Sequence, residues 1–223
     1  LKMGRGHGSG RGASAKAGGF QGDASMRGMS AGLAKALTDR ESDIRFNDNF
    51  EKGTVYDTDG NVIFNNDKGR NGSVYLGTDY KDRIVTHNHP INGKGKNRAD
   101  EGGSLSKTDV MLASFNNTAE MRAVTRHYTY TLKRPAKGWG VDDTNGGYVL
   151  KGMRYKPNAD RTRVSKVYNS VERQVKAARQ KYIREYKGDK SVAQRRSFAV
   201  YYHTINREFA KRMGWDYSKT RVN

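Results

Sequence analysis

Residues 84–90 read Ile84-Val85-Thr86-His87-Asn88-His89-Pro90, and residues 106–115 read Ser106-Lys107-Thr108-Asp109-Val110-Met111-Leu112-Ala113-Ser114-Phe115. The first stretch is an apolar run leading into two histidines two positions apart. On a strand such residues project from one face, so both imidazoles converge on one point. Pro90 has no N–H to give to a ladder, so the strand is predicted to stop there and leave the pair at a rim. The second stretch predicts a helix, with Ser106 as its cap and Asp109 in its first turn. Asp109 is then the natural third partner of the two histidines.

Upstream, the short runs Thr54-Val55-Tyr56, Val62-Ile63-Phe64, Val74-Tyr75-Leu76 and Ile84-Val85 are separated by Gly and Asn/Asp turns, which predicts an antiparallel meander. The segment Asp57-Thr58-Asp59-Gly60-Asn61 has the chemistry of a hairpin loop. Downstream, Met121 to Leu132 alternates as one return strand ending before Pro135. Gly138 to Gly152 is Gly-rich and irregular, with Trp139 as its anchor. From Arg161 onward Val164, Val167, Val171, Val175 and Tyr182 recur at helical spacing. After Gly188-Asp189, the residues Val192, Phe198, Tyr202, Ile205 and Phe209 do so again, which predicts two amphipathic helices. The expected fold class is α+β, a mixed sheet with helices. A basic Gly-rich arm is expected over 1–40, the metal-binding domain over 41–135, a connector over 136–160 and a basic helical segment over 161–223.

An HxH followed by SxxD resembles the signature of the JAB/JAMM metallopeptidases, and the resemblance spans residues 51–135. It implies that His87, His89 and Asp109 bind Zn2+, that Ser106 stabilises an oxyanion, and that an upstream glutamate takes a proton from the attacking water. Glu41 and Glu51 both lie upstream; Glu51, at the start of the first strand, is the one expected to act. The implied reaction is hydrolysis of a peptide or isopeptide bond, with zinc and Ser106 together stabilising the developing negative charge. Pro90 to Leu105 is longer than the family's usual spacing. Its basic stretch Asn92–Arg98 leaves two readings open, a substrate loop or tolerated length. The HNHP form is similar to JAB-like domains of bacteriophage head and minor capsid proteins, which implies a virion or intracellular setting and other virion subunits or a protein substrate as partners.

Each motif also has a plainer reading. SxxD before an apolar helical run is a helix capping box that needs no metal, and HxH alone occurs as a surface pair. The order strand, HxHP, loop, SxxD, helix, strand is what favours a metal site. The letters HNH do not indicate an HNH nuclease, whose residues are dispersed over a ββα element. His7, His127 and His203 fall in the arm, a strand and a helix, where packing or surface roles are expected.

Composition bounds the rest. With no Cys there is neither a disulfide nor a thiolate metal site, so a metal must be held by nitrogen and oxygen. No run of about 18 apolar residues exists and no apolar signal stretch opens the chain, so no membrane contact is expected. The net charge of +19 predicts attraction to polyanions. Residues 1–32 hold ten Gly and five basic residues against one acid, and residues 161–212 hold fifteen Lys/Arg against four Asp/Glu. DNA contact through the arm and the C-terminal helices is therefore the expectation that stands beside the enzyme. The alternative function is a structural assembly protein of a virion, built on a JAB-like core.

Overall fold

The computed structural model describes residues 24–47, 49–90, 103–141 and 158–222. The chain is a mixed α+β protein. In order it forms α1 (Ala31–Ile44), β1 (Gly53–Tyr56), β2 (Val62–Asn66), β3 (Ile84–Asn88), α2 (Lys107–Phe115), β4 (Glu120–Val124), β5 (Tyr128–Lys133), α3 (Ala159–Glu185), α4 (Lys190–Ala199), α5 (Tyr201–Met213) and β6 (Asp216–Arg221). The strands make one sheet in the order β2-β1-β3-β4-β5-β6. All neighbours are antiparallel except β3 and β4, which run parallel because α2 carries the chain back between them. Among the described residues no helix is long and apolar enough to cross a membrane.

Both faces of the sheet are covered, so its central strands are buried throughout. Ile84 and Val85, neighbours on β3, point to opposite faces and join different clusters. Val85 packs with Met121, Leu132, Val110 and Phe115, and also with Val164, Tyr168, Ile205 and Phe209. Ile84 packs with Tyr56, Leu33 and Leu37 of α1. On the α1 side the helix is also tied to the sheet by charge. Buried Arg122 of β4 donates from Nε to Glu41 at 2.6 Å and from Nη1 to Glu120 at 2.6 Å, and Thr86 donates to Glu41 at 3.0 Å.

Five expectations need correction. The run Val74-Tyr75-Leu76 is a loop, because Gly72 and Gly77, with φ of 86° and 78°, turn the chain on either side of it. Met121 to Leu132 is two strands. They are separated by a turn in which Thr125 N donates to Tyr128 O at 2.8 Å and Tyr128 N donates to Thr125 Oγ1 at 3.1 Å. Within 1–40, residues from Ala31 onward are helical: Ser30 caps α1, and Leu33, Leu37, Glu41 and Ile44 make its buried stripe. Gly abundance in the preceding residues hid that stripe. The helices after residue 161 also do not stand apart, since Val164, Tyr168, Val171, Ile205, Phe209 and Trp215 complete the main core and β6 closes the sheet on β5. The second predicted helix is divided at Val200 into α4 and α5. Trp139 is an anchor: it is buried, donates from Nε1 to Thr118 O at 2.9 Å, and meets Trp215 edge to face. Residues 1–23, the basic stretch 92–98 and most of the Gly-rich stretch after Trp139 lie outside the described residues.

Candidate metal centre

The site forms where β3 ends and α2 begins. His87 lies on β3 between Gly53 of β1 and Ala123 of β4, its register partners. Neither neighbour has a side chain large enough to crowd an imidazole; a Cβ on Gly53 would stand 3.0 Å from the His87 Cβ. His89, just past the strand, is still held by a ladder-like bond from its N–H to Val124 O at 2.8 Å. Alternation places both rings on the α2 side of the sheet.

The Nε2 atoms of His87 and His89 are 3.0 Å apart. The Asp109 carboxylate straddles them, with Oδ1 at 3.5 Å from His87 Nε2 and Oδ2 at 3.6 Å from His89 Nε2. Donor atoms bound tetrahedrally at about 2.0–2.1 Å from one ion lie about 3.3 Å from one another. The two nitrogens, and each nitrogen with its nearer Asp109 oxygen, lie near that spacing, and one ligand atom from each residue lies within 4.8 Å of the others, so the group is able to hold a metal ion. The ring of His89 is oriented for it: Nδ1 lies 2.9 Å from Gly103 O, an atom that only accepts, so Nδ1 carries a proton and Nε2 keeps its lone pair in the neutral ring. His87 Nδ1 is buried with no hydrogen-bond partner among the described residues.

Asp109 is aimed by the helix cap. Ser106 Oγ accepts from Asp109 N at 3.2 Å, and Asp109 Oδ2 accepts from Ser106 N at 2.6 Å. The capping box and the ligand arrangement thus coexist: the reciprocal bonds that start α2 also hold the carboxylate in place. Among the described residues no acceptor takes the Ser106 hydroxyl proton.

Glu51 precedes β1 and is buried; Glu41 is committed to Arg122 and Thr86 on the opposite face of the sheet. Burial pushes the Glu51 carboxyl above the ordinary carboxylate range, further than the His87 and His89 charges pull it down, and Asp109 adds to the rise. Burial would raise Asp109 too, but the facing His87 and His89 hold it well below the usual range. His89 is disfavoured as a cation by burial, yet Asp109, Glu51 and the Gly103 carbonyl together lift it to about 9. Asp109 and Glu51 together thus favour positive charge on His89.

Sequence reasoning passed over two supports. Asn88, between the histidines, faces the other way. Its Oδ1 accepts from Lys52 N at 2.6 Å, and its Nδ2 donates to Asn47 O at 2.9 Å and Phe50 O at 3.3 Å, pinning the loop that carries Glu51. The signal was there, since alternation sends the residue between two ligands to the opposite face. The second support comes from the far end of the chain. Tyr217 of β6 bonds His203 Nδ1 at 2.9 Å and Ser104 Oγ at 2.7 Å, while Asn206 donates to Ser104 Oγ at 3.1 Å and Leu105 O at 2.7 Å. These bonds fix the loop that supplies Gly103 and Ser106. No spacing rule links residues 104 and 217.

Fold and site together define an α+β protein with a preassembled His/His/Asp group able to hold a metal ion. Comparison with protein-family profiles, curated proteins and solved structures returned no match.

Proposed function

We propose that this chain is a zinc-dependent metallopeptidase of JAB/JAMM type, hydrolysing a peptide or isopeptide bond in a protein partner. The observation that carries the reading is the gathering of one donor atom each from His87, His89 and Asp109 within 4.8 Å of one another, with the buried Glu51 carboxyl electrostatically coupled to all three. Two nitrogens and one oxygen suit zinc, and three protein ligands are the set used by catalytic rather than structural zinc. When bound, the ion supplies Lewis acidity, drawing electron density from a carbonyl oxygen and making water more acidic. Glu51, its carboxyl raised by burial, is suited to take a proton from attacking water and return it to the leaving amine. The Ser106 hydroxyl donates to the oxygen on which negative charge develops.

Elemental mass spectrometry on the purified protein tests the first half. About one zinc per chain is expected, lost in the double variant His87→Ala/His89→Ala. Cleavage of a quenched-fluorescence peptide library tests the second: Glu51→Gln is expected to keep the metal and lose turnover. No metal in the wild-type protein, even after zinc is supplied, rejects the proposal.

A second reading is favoured by the exposed cations of α3 and α4. In it the chain serves as an assembly protein, in a virion or inside a cell, whose basic segments contact nucleic acid or other subunits.

A further inference from the structure

The core uses α3 mainly through its first half, with Val175 packed partly buried beyond it. Arg161, Val164, Tyr168 and Val171 are buried, and no described residue of α3 beyond Val171 is. The opposite face runs the whole length of the helix. Lys166, Arg173, Lys176, Gln180 and Arg184 follow at spacings of seven, three, four and four, which places them in one stripe, and all five are exposed. Asp160 and Glu185 fall away from that stripe, while Glu172 borders it one turn before Lys176. Among the described residues, none of Lys166, Arg173, Lys176 and Arg184 has an acidic partner. An ordinary solvated helix face mixes both signs and gains from Glu–Lys pairs a turn apart; here cations dominate five turns, and the bordering Glu172 makes no ion pair with Lys176 among the described residues.

The chemistry of the face selects among partners. A protein interface needs an apolar centre, and this stripe has no large apolar side chain. A single strand is gripped by aromatic platforms, and the exposed Tyr182 sits on the other side of the helix, in a tilted contact with Tyr186. What remains is a regular array of phosphates. Arg173 and Arg184 are about 16 Å apart along the axis at 1.5 Å per residue, on the order of five phosphates of one duplex strand. We infer that the outer face of α3 is a binding track for the phosphate backbone of double-stranded nucleic acid. The inference deepens the second functional reading and is independent of the metal centre.

Fluorescence anisotropy of the full chain with a labelled random duplex, from 50 to 200 mM salt, tests it. Wild type is expected to bind with a log–log salt slope that includes about −3.6 from the four cations, at about −0.9 per phosphate neutralised. Reversing the stripe (Lys166→Glu/Arg173→Glu/Lys176→Glu/Arg184→Glu) is expected to weaken binding more than tenfold and flatten the slope. The Gln versions of the same four substitutions, with an unchanged melting temperature, guard against misfolding. The charge-matched control Lys35→Glu/Lys68→Glu/Lys137→Glu/Lys211→Glu is expected to bind within threefold of wild type. Equal losses in stripe and control variants overturn the inference, since net charge alone would then be at work. So does tighter binding to a single strand, or equal competition by polyglutamate. If wild type binds and the stripe variants match it, the track is refuted while nucleic-acid contact stands on other residues. If wild type does not bind at 50 mM salt, both fall.

Discussion

Replacing Asn88 by Ala separates the support of the site from its ligands. The side chain is buried and makes three hydrogen bonds to the loop 47–52, at 2.6, 2.9 and 3.3 Å. Each contributes about 1 kcal/mol net, and a buried group left unpaired costs about 1–3 kcal/mol. Asn47, Phe50 and Lys52 are half-buried, so water satisfies part of what is lost. The expected destabilisation is about 3 kcal/mol, a drop of about 6–12 °C in melting temperature for a chain of this size. Hydrogen exchange should locate the effect: the Lys52 amide, which donates to Asn88 Oδ1, loses about tenfold or more of its protection, while amides in β4 and β5 do not. Zinc stoichiometry should stay near that of wild type, because the ring nitrogens and Asp109 are held from the other face of the sheet. Turnover should fall, because Glu51 is no longer positioned. A melting temperature within 2 °C of wild type, with an unchanged Lys52 amide, would refute the claim that Asn88 holds the Glu51 loop.

Three further predictions follow from the same geometry. In metal-free protein, His89 is raised to about 9 from its ordinary 6.5, so its contribution is fully present below about 6.5 and is lost as the pH rises to about 9, by about 3 kcal/mol at about 1.4 kcal/mol per pH unit. Zinc binding needs the deprotonated ring, so affinity should instead rise about tenfold per pH unit over that window; opposite pH trends in urea melts and zinc titrations would show this, and parallel trends would contradict it. Tyr217→Phe removes the hydroxyl between His203 and Ser104 and should weaken zinc binding by about tenfold with the ligands intact, as other outer supports of metal sites do; an unchanged competition titration against a chelator would count against the clamp. Arg122→Ala strands the buried carboxylates of Glu41 and Glu120 and should cost about 3–5 kcal/mol in urea denaturation, and a loss under 1 kcal/mol would mean that the cluster does not tie α1 to the sheet.

What the sequence by itself determined was local. Period-two alternation through Ile84–His89 specified a strand with both histidines on one side, and Ser106 with Asp109 three residues on specified a capped helix whose carboxylate is held by its own first turn. Helical spacing likewise disclosed the helix from residue 161, because its stripe repeats within a few turns. Where local signals competed, reading failed. The glycines before Ala31 masked the stripe of α1, and the strand-like run Val74–Leu76 was undone by positive-φ glycines at both ends. Tertiary structure alone decided which groups meet at long range. Arg122 finds Glu41 across 81 positions, Tyr217 finds Ser104 across 113, and β6 finds the open edge of β5. Such pairings follow from which faces remain unburied after the sheet and helices have packed, a property of the whole core that no window of sequence contains.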